Sequence, residues 1–366
     1  MNGRKRVAIV GAGVCGLLAI KECLQHGLEP VCFEKSFDIG GLWRYKPEEV
    51  EDEASVMKST VINTSKELMA FSDFPPPAHF SNFMHNTTVM QYFRMYAEHF
   101  KLLPHVRFNT KVCSVRQSSD YDSTGRWDVS YIPAHNGSME VRETFDAVLI
   151  CSGHHAEPYW GELRGLEKFK GKVLHAHSYK EPSGLEDQVV VVVGMGNSGG
   201  DIAVELSRVC SQVHLVTRRG SWVMHRVGDI GYPHDMLLTS RMTSLLYKLS
   251  PSLVHNWLET RLNMRFDHAM YGLKPKHRVM EQHPFVNDDV PGRMQAGKLF
   301  IKPDIAQISE RGVRFVDGRE ITGVDTIIVS TGYSFGFPVL EDHIIPVKDN
   351  KSMGNDQQVC IDIEKT

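Results

Sequence analysis

Two glycine clusters carry the first chemistry legible in the chain: Gly11-Ala12-Gly13-Val14-Cys15-Gly16 and Gly194-Met195-Gly196-Asn197-Ser198-Gly199. Both have the GxGxxG spacing. In such a turn the first glycine permits a tight bend, the second lets backbone approach a pyrophosphate, and the third lets helix and strand pack closely. The helix that follows adds N–H donors and positive potential for phosphate. The end of the next strand separates the cofactors. Glu34, about 20 residues after the first turn, suits ribose hydroxyls and repels an extra phosphate, so the first site is expected to take FAD or NAD. The corresponding strand end in the second unit, Thr217-Arg218-Arg219, carries no carboxylate. Guanidinium groups there can pair bidentately with a 2′-phosphate, so the second site is expected to take NADP. One chain with both sites implies electron flow from a nicotinamide to a second cofactor, and a flavin is the natural acceptor.

Other residues offer weaker chemistry. Gly40-Gly41-Leu42-Trp43 adds flexible backbone and an aromatic plate near the first site, or else a turn followed by a core tryptophan. His175 and His177, two apart on an expected strand, share a face but have no nearby cysteine or carboxylate cluster to complete a metal site. Gly196-Asn197-Ser198-Gly199-Gly200 fits the nucleophile-elbow pattern GxSxG, yet it overlaps the second dinucleotide turn, and Gly153-His154-His155 offers no obvious triad partner.

The elements that must position these turns repeat along the chain as βαβ units. The first runs through Arg6 to Val10, a helix to about His26 capped by Gly27, and a strand from Pro30 to Glu34. The second runs through Gln188 to Val193, a helix to about Cys210, and a strand from Gln212 to Thr217. Unbroken apolar runs such as Val189 to Val193 suit parallel strands buried on both faces. Strands are expected at Val106 to Val112, Trp127 to Ile132 and Phe145 to Ile150, as an antiparallel region split by the turn-rich Gln117 to Gly125 and Pro133 to Gly137. Leu237 to Leu262 reads as helical, broken or restarted at Pro251, because Leu245, Leu246, Leu249, Leu253, Val254, Trp257, Leu258 and Leu262 recur at near-helical spacing. Burial against the protein is the expected fate of that stripe, with a membrane surface as the alternative. From Pro346 to Thr366 the chain is polar and aperiodic, and is expected to be loose.

The expected fold is therefore α/β, with two Rossmann-like doubly wound dinucleotide-binding domains, the second inserted in the first, and a helical insertion. Residues 1–153 begin the FAD-binding domain, 154–324 form the NADPH-binding domain with its insertion at about 221–295, and 325–366 return to the first. A chain of 366 residues suits two domains of ordinary size. Its 42% apolar and 23% charged content is that of a soluble globular protein. A net charge of −3 offers no general basic surface, so nucleic acid is not an expected partner. Seven cysteines without CxxC or CxxxxC spacing disfavour a disulfide framework, a zinc ribbon or a redox dithiol. The N-terminus shows no signal-peptide pattern, so the chain is expected to face reducing cytosol, and no apolar run approaches 18 residues.

Just before the second glycine turn, Phe169-Lys170-Gly171-Lys172-Val173-Leu174-His175-Ala176-His177-Ser178-Tyr179 has the form FxGxxxHxxxY. It resembles the fingerprint of the animal-type flavin-containing monooxygenases. Further landmarks are similar: Glu34-Lys35-Ser36, Gly41-Leu42-Trp43, Asn63-Thr64-Ser65-Lys66-Glu67, Phe71-Ser72-Asp73-Phe74-Pro75, Ser221-Trp222-Val223-Met224 and Ser330-Thr331-Gly332-Tyr333. The resemblance spans Arg6 to about Ile345. It implies that the first glycine turn, Glu34, Lys35, Gly41, Leu42, Trp43 and Thr64 hold FAD. It implies that Gly194, Gly196, Asn197, Ser198, Gly199, Asp201, Arg218 or Arg219 hold NADPH. Asn63 matches the asparagine beside flavin and nicotinamide, and is the catalytic candidate. Phe169, Gly171, His175 and Tyr179 look like elements that couple the two domains, and Thr331, itself a cofactor-binding candidate by the resemblance, would with Gly332 return the chain to the flavin domain.

The activity implied is reduction of FAD by NADPH, capture of dioxygen as a hydroperoxyflavin, and oxygenation of a nucleophilic nitrogen or sulfur in a small xenobiotic. The partners implied are amine or sulfide substrates and dioxygen, with membrane-surface association and a homo-oligomer also carried as expectations. Location at the cytosolic face of the endoplasmic reticulum membrane follows from the resemblance, and a cytoplasmic one if the family's C-terminal anchor is missing. The sequence departs from the family pattern after about Val347 and stops at Thr366. A truncated inactive isoform that binds NADPH or a partner is therefore an alternative. A Baeyer–Villiger monooxygenase is another, although its fingerprint characteristically ends in Trp and this one ends in Tyr179-Lys180. A pyridine-nucleotide disulfide reductase would need a cysteine pair that the spacing does not supply.

Overall fold

The computed structural model describes residues 3–134, 139–341, 343–348 and 351–352. Two parallel sheets organise it. The first has the order Val106–Arg107, Glu29–Phe33, Arg6–Val10, Ala147–Ile150. The second has the order Leu299–Lys302, Gln212–Val216, Val189–Val193, Thr326–Val329, Lys172–His175.

Strand alternation divides each sheet between two covers. Val7 and Ile9 face Leu17 and Ile20 of the helix Val14–Gln25 and Phe93 of the helix Asn86–His99. Ala8 and Val10 face Val112, Val115, Val129 and Phe145, on an antiparallel sheet of Thr110–Gln117, Trp127–Pro133 and Val141–Phe145. The second unit repeats this layering. Val190 and Val192 meet Ile202 and Leu206 of the helix Asn197–Leu206. Val191 and Val193 meet Ile308, Val313 and Phe315, on the antiparallel sheet Ile305–Ile308, Gly312–Phe315 and Glu320–Thr322. Val190, Val191 and Val192 are 0% exposed, and burying each contributes roughly 1.5–3 kcal/mol against leaving it in water. Full burial on both faces explains the unbroken valine run.

Several expected boundaries move. The strand expected over Val106 to Val112 is two strands in different sheets. Asn109 turns the chain between them with φ +51°, its N–H donating to the Ser36 carbonyl. The strand expected over Phe145 to Ile150 also splits, at Asp146, whose N–H donates to the Arg6 carbonyl while its carboxylate accepts from the Arg6 N–H at 2.7 Å. The second glycine-turn helix ends at Leu206 rather than near Cys210. Thr326–Val329 lies within the second sheet, so the return to the first unit begins after Val329 rather than at 325. The expected loose tail mostly lies outside the described residues, which include the short pairing of Val347–Lys348 with Lys351–Ser352.

The helical insertion contains helices His234–Leu238, Arg241–Leu249 and Pro251–Arg265 around a small core of Trp222, Leu258, Leu262 and Val279. Pro251 sits in the first turn, where its missing N–H costs no helix bond. The expected burial of the apolar stripe is overturned. Leu258 and Leu262 are buried, but Leu245, Leu246, Leu249, Leu253 and Trp257 are 46–73% exposed. Helical periodicity marks an apolar face without saying what covers it.

Candidate functional site

The two glycine turns have the same physical construction. Gly11 and Gly194 bend the chain at φ +101° and +108°, a region that side chains resist. A Cβ on Gly16 would run into the Gly11 carbonyl oxygen, and one on Gly199 into the Gly194 carbonyl oxygen. These four positions are glycine for internal reasons. Gly13 and Gly196 are different: their backbones are extended, at φ −70° and −83°. A Cβ on Gly13 would meet nothing nearer than the Gly41 Cα at 3.9 Å, and one on Gly196 nothing within 4 Å. Each turn therefore keeps an open seat at its second glycine, at the N-terminus of a helix of 12 or 10 residues. The residues present fit a dinucleotide at both.

Glu34 is buried beside the first seat. One carboxylate oxygen accepts from the Ala12 N–H at 2.7 Å, and the other from the Ser36 N–H at 2.9 Å and hydroxyl at 2.6 Å. Three of roughly four acceptor positions are filled, leaving one for a ribose hydroxyl. The Gly40 N–H donates to the Ala12 carbonyl at 3.0 Å, which folds Gly41 and Leu42 over the turn. Trp43 packs into the first unit's core, which favours its structural reading over the plate. Val14 and Cys15 start the helix half-buried, and burial pushes the Cys15 thiol up. Lys35 donates from Nζ to the Asp52 carbonyl.

At the second seat, Arg218 and Arg219 are exposed, and their side chains have no protein partner among the described residues. Asn197 is used internally, its Oδ1 accepting from the Val286 N–H at 2.9 Å. Ser198 is exposed without a histidine partner among the described residues, which leaves the nucleophile-elbow reading unsupported. Asp201 accepts from Asn287 Nδ2 at 2.8 Å, and burial pushes its carboxyl up to about 6.

Asn63 is half-buried, and its Oδ1 accepts from Arg226 Nη2 at 2.7 Å. Guanidinium can only donate, so this contact fixes the amide orientation and leaves Asn63 Nδ2 without a partner among the described residues, as a donor for a ligand. Arg226 comes from the helical insertion, and its backbone N–H donates to Asp288 Oδ1 at 3.1 Å. Asp235, from the same insertion, accepts from the Ser65 N–H at 2.6 Å. Thr64, between these two anchored residues, is exposed. Arg226, Asp235 and Asp288 were not among the expected site residues. Their partners lie far away in sequence, and only an isolated Arg after an extended segment could have pointed to one of them.

The fingerprint acquires a physical account. A Cβ on Gly171 would collide with the Asp325 carbonyl oxygen and the Phe169 ring. Phe169 packs on the second unit's outer core. His175 is buried with its ring centroid 5.5 Å from that of Tyr333, beside the returning chain. Tyr179 donates to Glu205 at 2.6 Å, tying the motif's end to the second glycine-turn helix. His177 is engaged by Glu49 at 2.9 Å and by the Glu53 carbonyl at 2.7 Å. Thr331 donates to the Tyr159 carbonyl, closing the two chain crossings between the units on each other.

Two matched phosphate seats on parallel α/β sheets, one beside a carboxylate and one beside unpaired arginines, define a two-dinucleotide protein of the Rossmann type. The chain belongs to the flavin-binding monooxygenase-like family, whose sequence profile matches residues 4–366. It is 50% identical over 353 residues to flavin-containing monooxygenase 5 of Cavia porcellus, covering 96% of this chain and 66% of that protein. It is 46% identical over 351 residues to dimethylaniline monooxygenase [N-oxide-forming] 2 of Rattus norvegicus, covering 95% and 65%. The chain thus spans slightly less than two thirds of these relatives. Among solved structures, a flavin-containing monooxygenase from Stenotrophomonas maltophilia superposes with TM-score 0.68 at 19% identity, covering 96% of this chain and 86% of that one. S-allyl-L-cysteine S-oxygenase from Allium sativum superposes with TM-score 0.68 at 24% identity, covering 96% and 67%. These likenesses establish the fold.

Proposed function

We propose that the chain is an FAD- and NADPH-dependent monooxygenase that inserts one oxygen atom of dioxygen into a nucleophilic nitrogen or sulfur of small molecules, xenobiotics among them. The pair of open glycine seats with opposite electrostatic neighbours carries this reading. Bound FAD would supply the redox and oxygen chemistry, taking a hydride from NADPH. The chain's own residues bind and orient. Gly13 and the helix behind it receive the FAD pyrophosphate, and the spare acceptor on Glu34 receives a ribose hydroxyl. Gly196 and the second helix receive the NADPH pyrophosphate, while Arg218 and Arg219 receive its 2′-phosphate. Asn63, held by Arg226, would offer its Nδ2 donor to a bound cofactor.

An anaerobic absorbance titration followed by product analysis tests the reading. Protein loaded with FAD is expected to bleach on NADPH addition and, once air and a thioether are admitted, to yield the sulfoxide. A colourless protein that takes up no FAD overturns the proposal, as does conversion of a ketone to an ester with no sulfoxide.

We further infer that the exposed leucines and Trp257 of the insertion rest on a lipid surface, as at the cytosolic face of the endoplasmic reticulum membrane. Arg241 and Lys248 on the same helical pair would meet anionic headgroups. No helix among the described residues is long and apolar enough to cross a bilayer, so contact would be in the interface plane. Leu249→Glu/Leu253→Glu is expected to abolish co-sedimentation with phosphatidylserine-containing vesicles. Equal sedimentation of variant and wild type counts against it.

A further inference from the structure

The chain just beyond the strand Gln212–Val216 runs directly against a segment of the helical insertion. The Ser221 N–H donates to the Leu273 carbonyl at 3.0 Å, and the Lys276 N–H to the Arg219 carbonyl at 3.2 Å. Gly220 lies between these two bonds at φ +73°, where a Cβ would come within 2.5 Å of the Leu273 oxygen and 2.7 Å of the Lys274 oxygen. That glycine is what allows the segments to approach so closely.

The facing segment alternates. Leu273 and Pro275 are buried, while Lys274 and Lys276 are exposed. Residues two apart in an extended stretch share a face, so both lysines point outward beside the Arg218-Arg219 pair. Four cations are thereby gathered on two hydrogen-bonded segments of backbone. None of the four side chains has an ion-pair or hydrogen-bond partner among the described residues. Concentrating like charges without a counter-charge costs free energy, which an anionic ligand would recover. The position is the carboxyl end of a parallel strand, where dinucleotides bind in open α/β sheets.

We propose that Lys274 and Lys276 are specificity-determining residues for the phosphorylated nicotinamide cofactor. They complete, with Arg218 and Arg219, a four-cation receptor for the ribose 2′-phosphomonoester, so the insertion and not only the Rossmann unit sets the preference for NADPH over NADH. This rests on reading the second glycine turn as the nicotinamide dinucleotide site. A phosphomonoester carries close to two negative charges at neutral pH, more than one guanidinium neutralises. Arginine supplies a planar fork and lysine a mobile point charge, so the two types fill different sides of a tetrahedral phosphate.

Calorimetric titration of the FAD-loaded protein with 2′,5′-ADP and with 5′-ADP tests this. Lys274→Gln/Lys276→Gln is expected to weaken 2′,5′-ADP about tenfold, leave 5′-ADP unchanged and preserve the melting temperature, while Lys274→Arg/Lys276→Arg restores most of the loss. The loss is expected to shrink with added salt, as for exposed charges. A wild type that prefers 2′,5′-ADP, with a glutamine variant that prefers it equally, overturns the proposal and leaves the second-site reading standing. Equal weakening of both nucleotides also overturns it, since the lysines would then be a general anion field. A wild type that binds neither nucleotide removes the second-site reading itself, and the proposal with it.

Discussion

Asn63→Asp is expected to retain FAD and NADPH but to lower oxygenation turnover about a hundredfold or more, the usual cost of removing one preorganised donor where charge develops on its acceptor. The reasoning is geometric. Arg226 Nη2 donates to Asn63 Oδ1 at 2.7 Å, and an aspartate keeps that contact and strengthens it. What it loses is the opposite end of the carboxamide, where Nδ2 is the donor and a carboxylate offers only acceptors. The substitution is nearly isosteric, so packing and stability should barely change. Steady-state sulfide oxygenation, set beside flavin absorbance of the purified variant, separates the effects. Turnover within about threefold of wild type, with FAD bound, would show that the Nδ2 donor takes no part. Arg226→Gln removes the fork that orients Asn63 while keeping a donor. A loss of about tenfold, mostly in kcat rather than KM, is the outcome for a positioning residue of this kind.

The glycine turns were legible because their physics is local. A strand, a bend at positive φ, an extended second glycine and a helix start all fall within a few residues, and residue type and spacing report them. The positions of Glu34 and Arg218 beside the turns were legible for the same reason, since each lies within two residues of the end of the strand that follows its own turn. The contacts that orient Asn63 were not. Arg226 and Asn63 are separated by 163 positions, and nothing in either neighbourhood encodes the other. The split strands failed on single residues. Asn109 takes a left-handed conformation that a run of apolar and β-branched neighbours conceals. Asp146 sits between two strands as a hydrogen-bond anchor to Arg6 rather than as a turn residue. The insertion's stripe differs: its periodicity specifies helix, but amphipathicity is silent about the occupant of the apolar face. The fingerprint was visible as a pattern and opaque as chemistry, because Tyr179 acts through Glu205 on a helix that follows it.

The second glycine of each turn supports a sharper experiment than deletion of either site. Gly13 and Gly196 have backbone angles open to any L-residue, φ −70° and −83°, and an added methyl meets no protein atom closer than 3.9 Å. Alanine at either position therefore costs the folded chain about 1 kcal/mol, the difference between glycine and alanine at a helix N-cap being the largest contribution. A phosphate approaching the backbone would meet that methyl directly. Overpacking of this kind costs about 1–3 kcal/mol, roughly five- to 150-fold in affinity. Gly13→Ala is thus expected to purify folded, with a melting transition lowered by no more than about 4 °C, but to lose most of its FAD. Gly196→Ala is expected to stay yellow and resist reduction by NADPH until the nucleotide is raised by a similar factor. Gly16→Ala supplies the contrast, because its methyl would strike the Gly11 carbonyl oxygen and destabilise the unit before any ligand is added. Flavin occupancy, thermal melting and anaerobic reduction of the three variants distinguish a phosphate seat from a merely tight turn. FAD bound by Gly13→Ala as tightly as by wild type would mean that the open space at this position faces solvent and not a pyrophosphate.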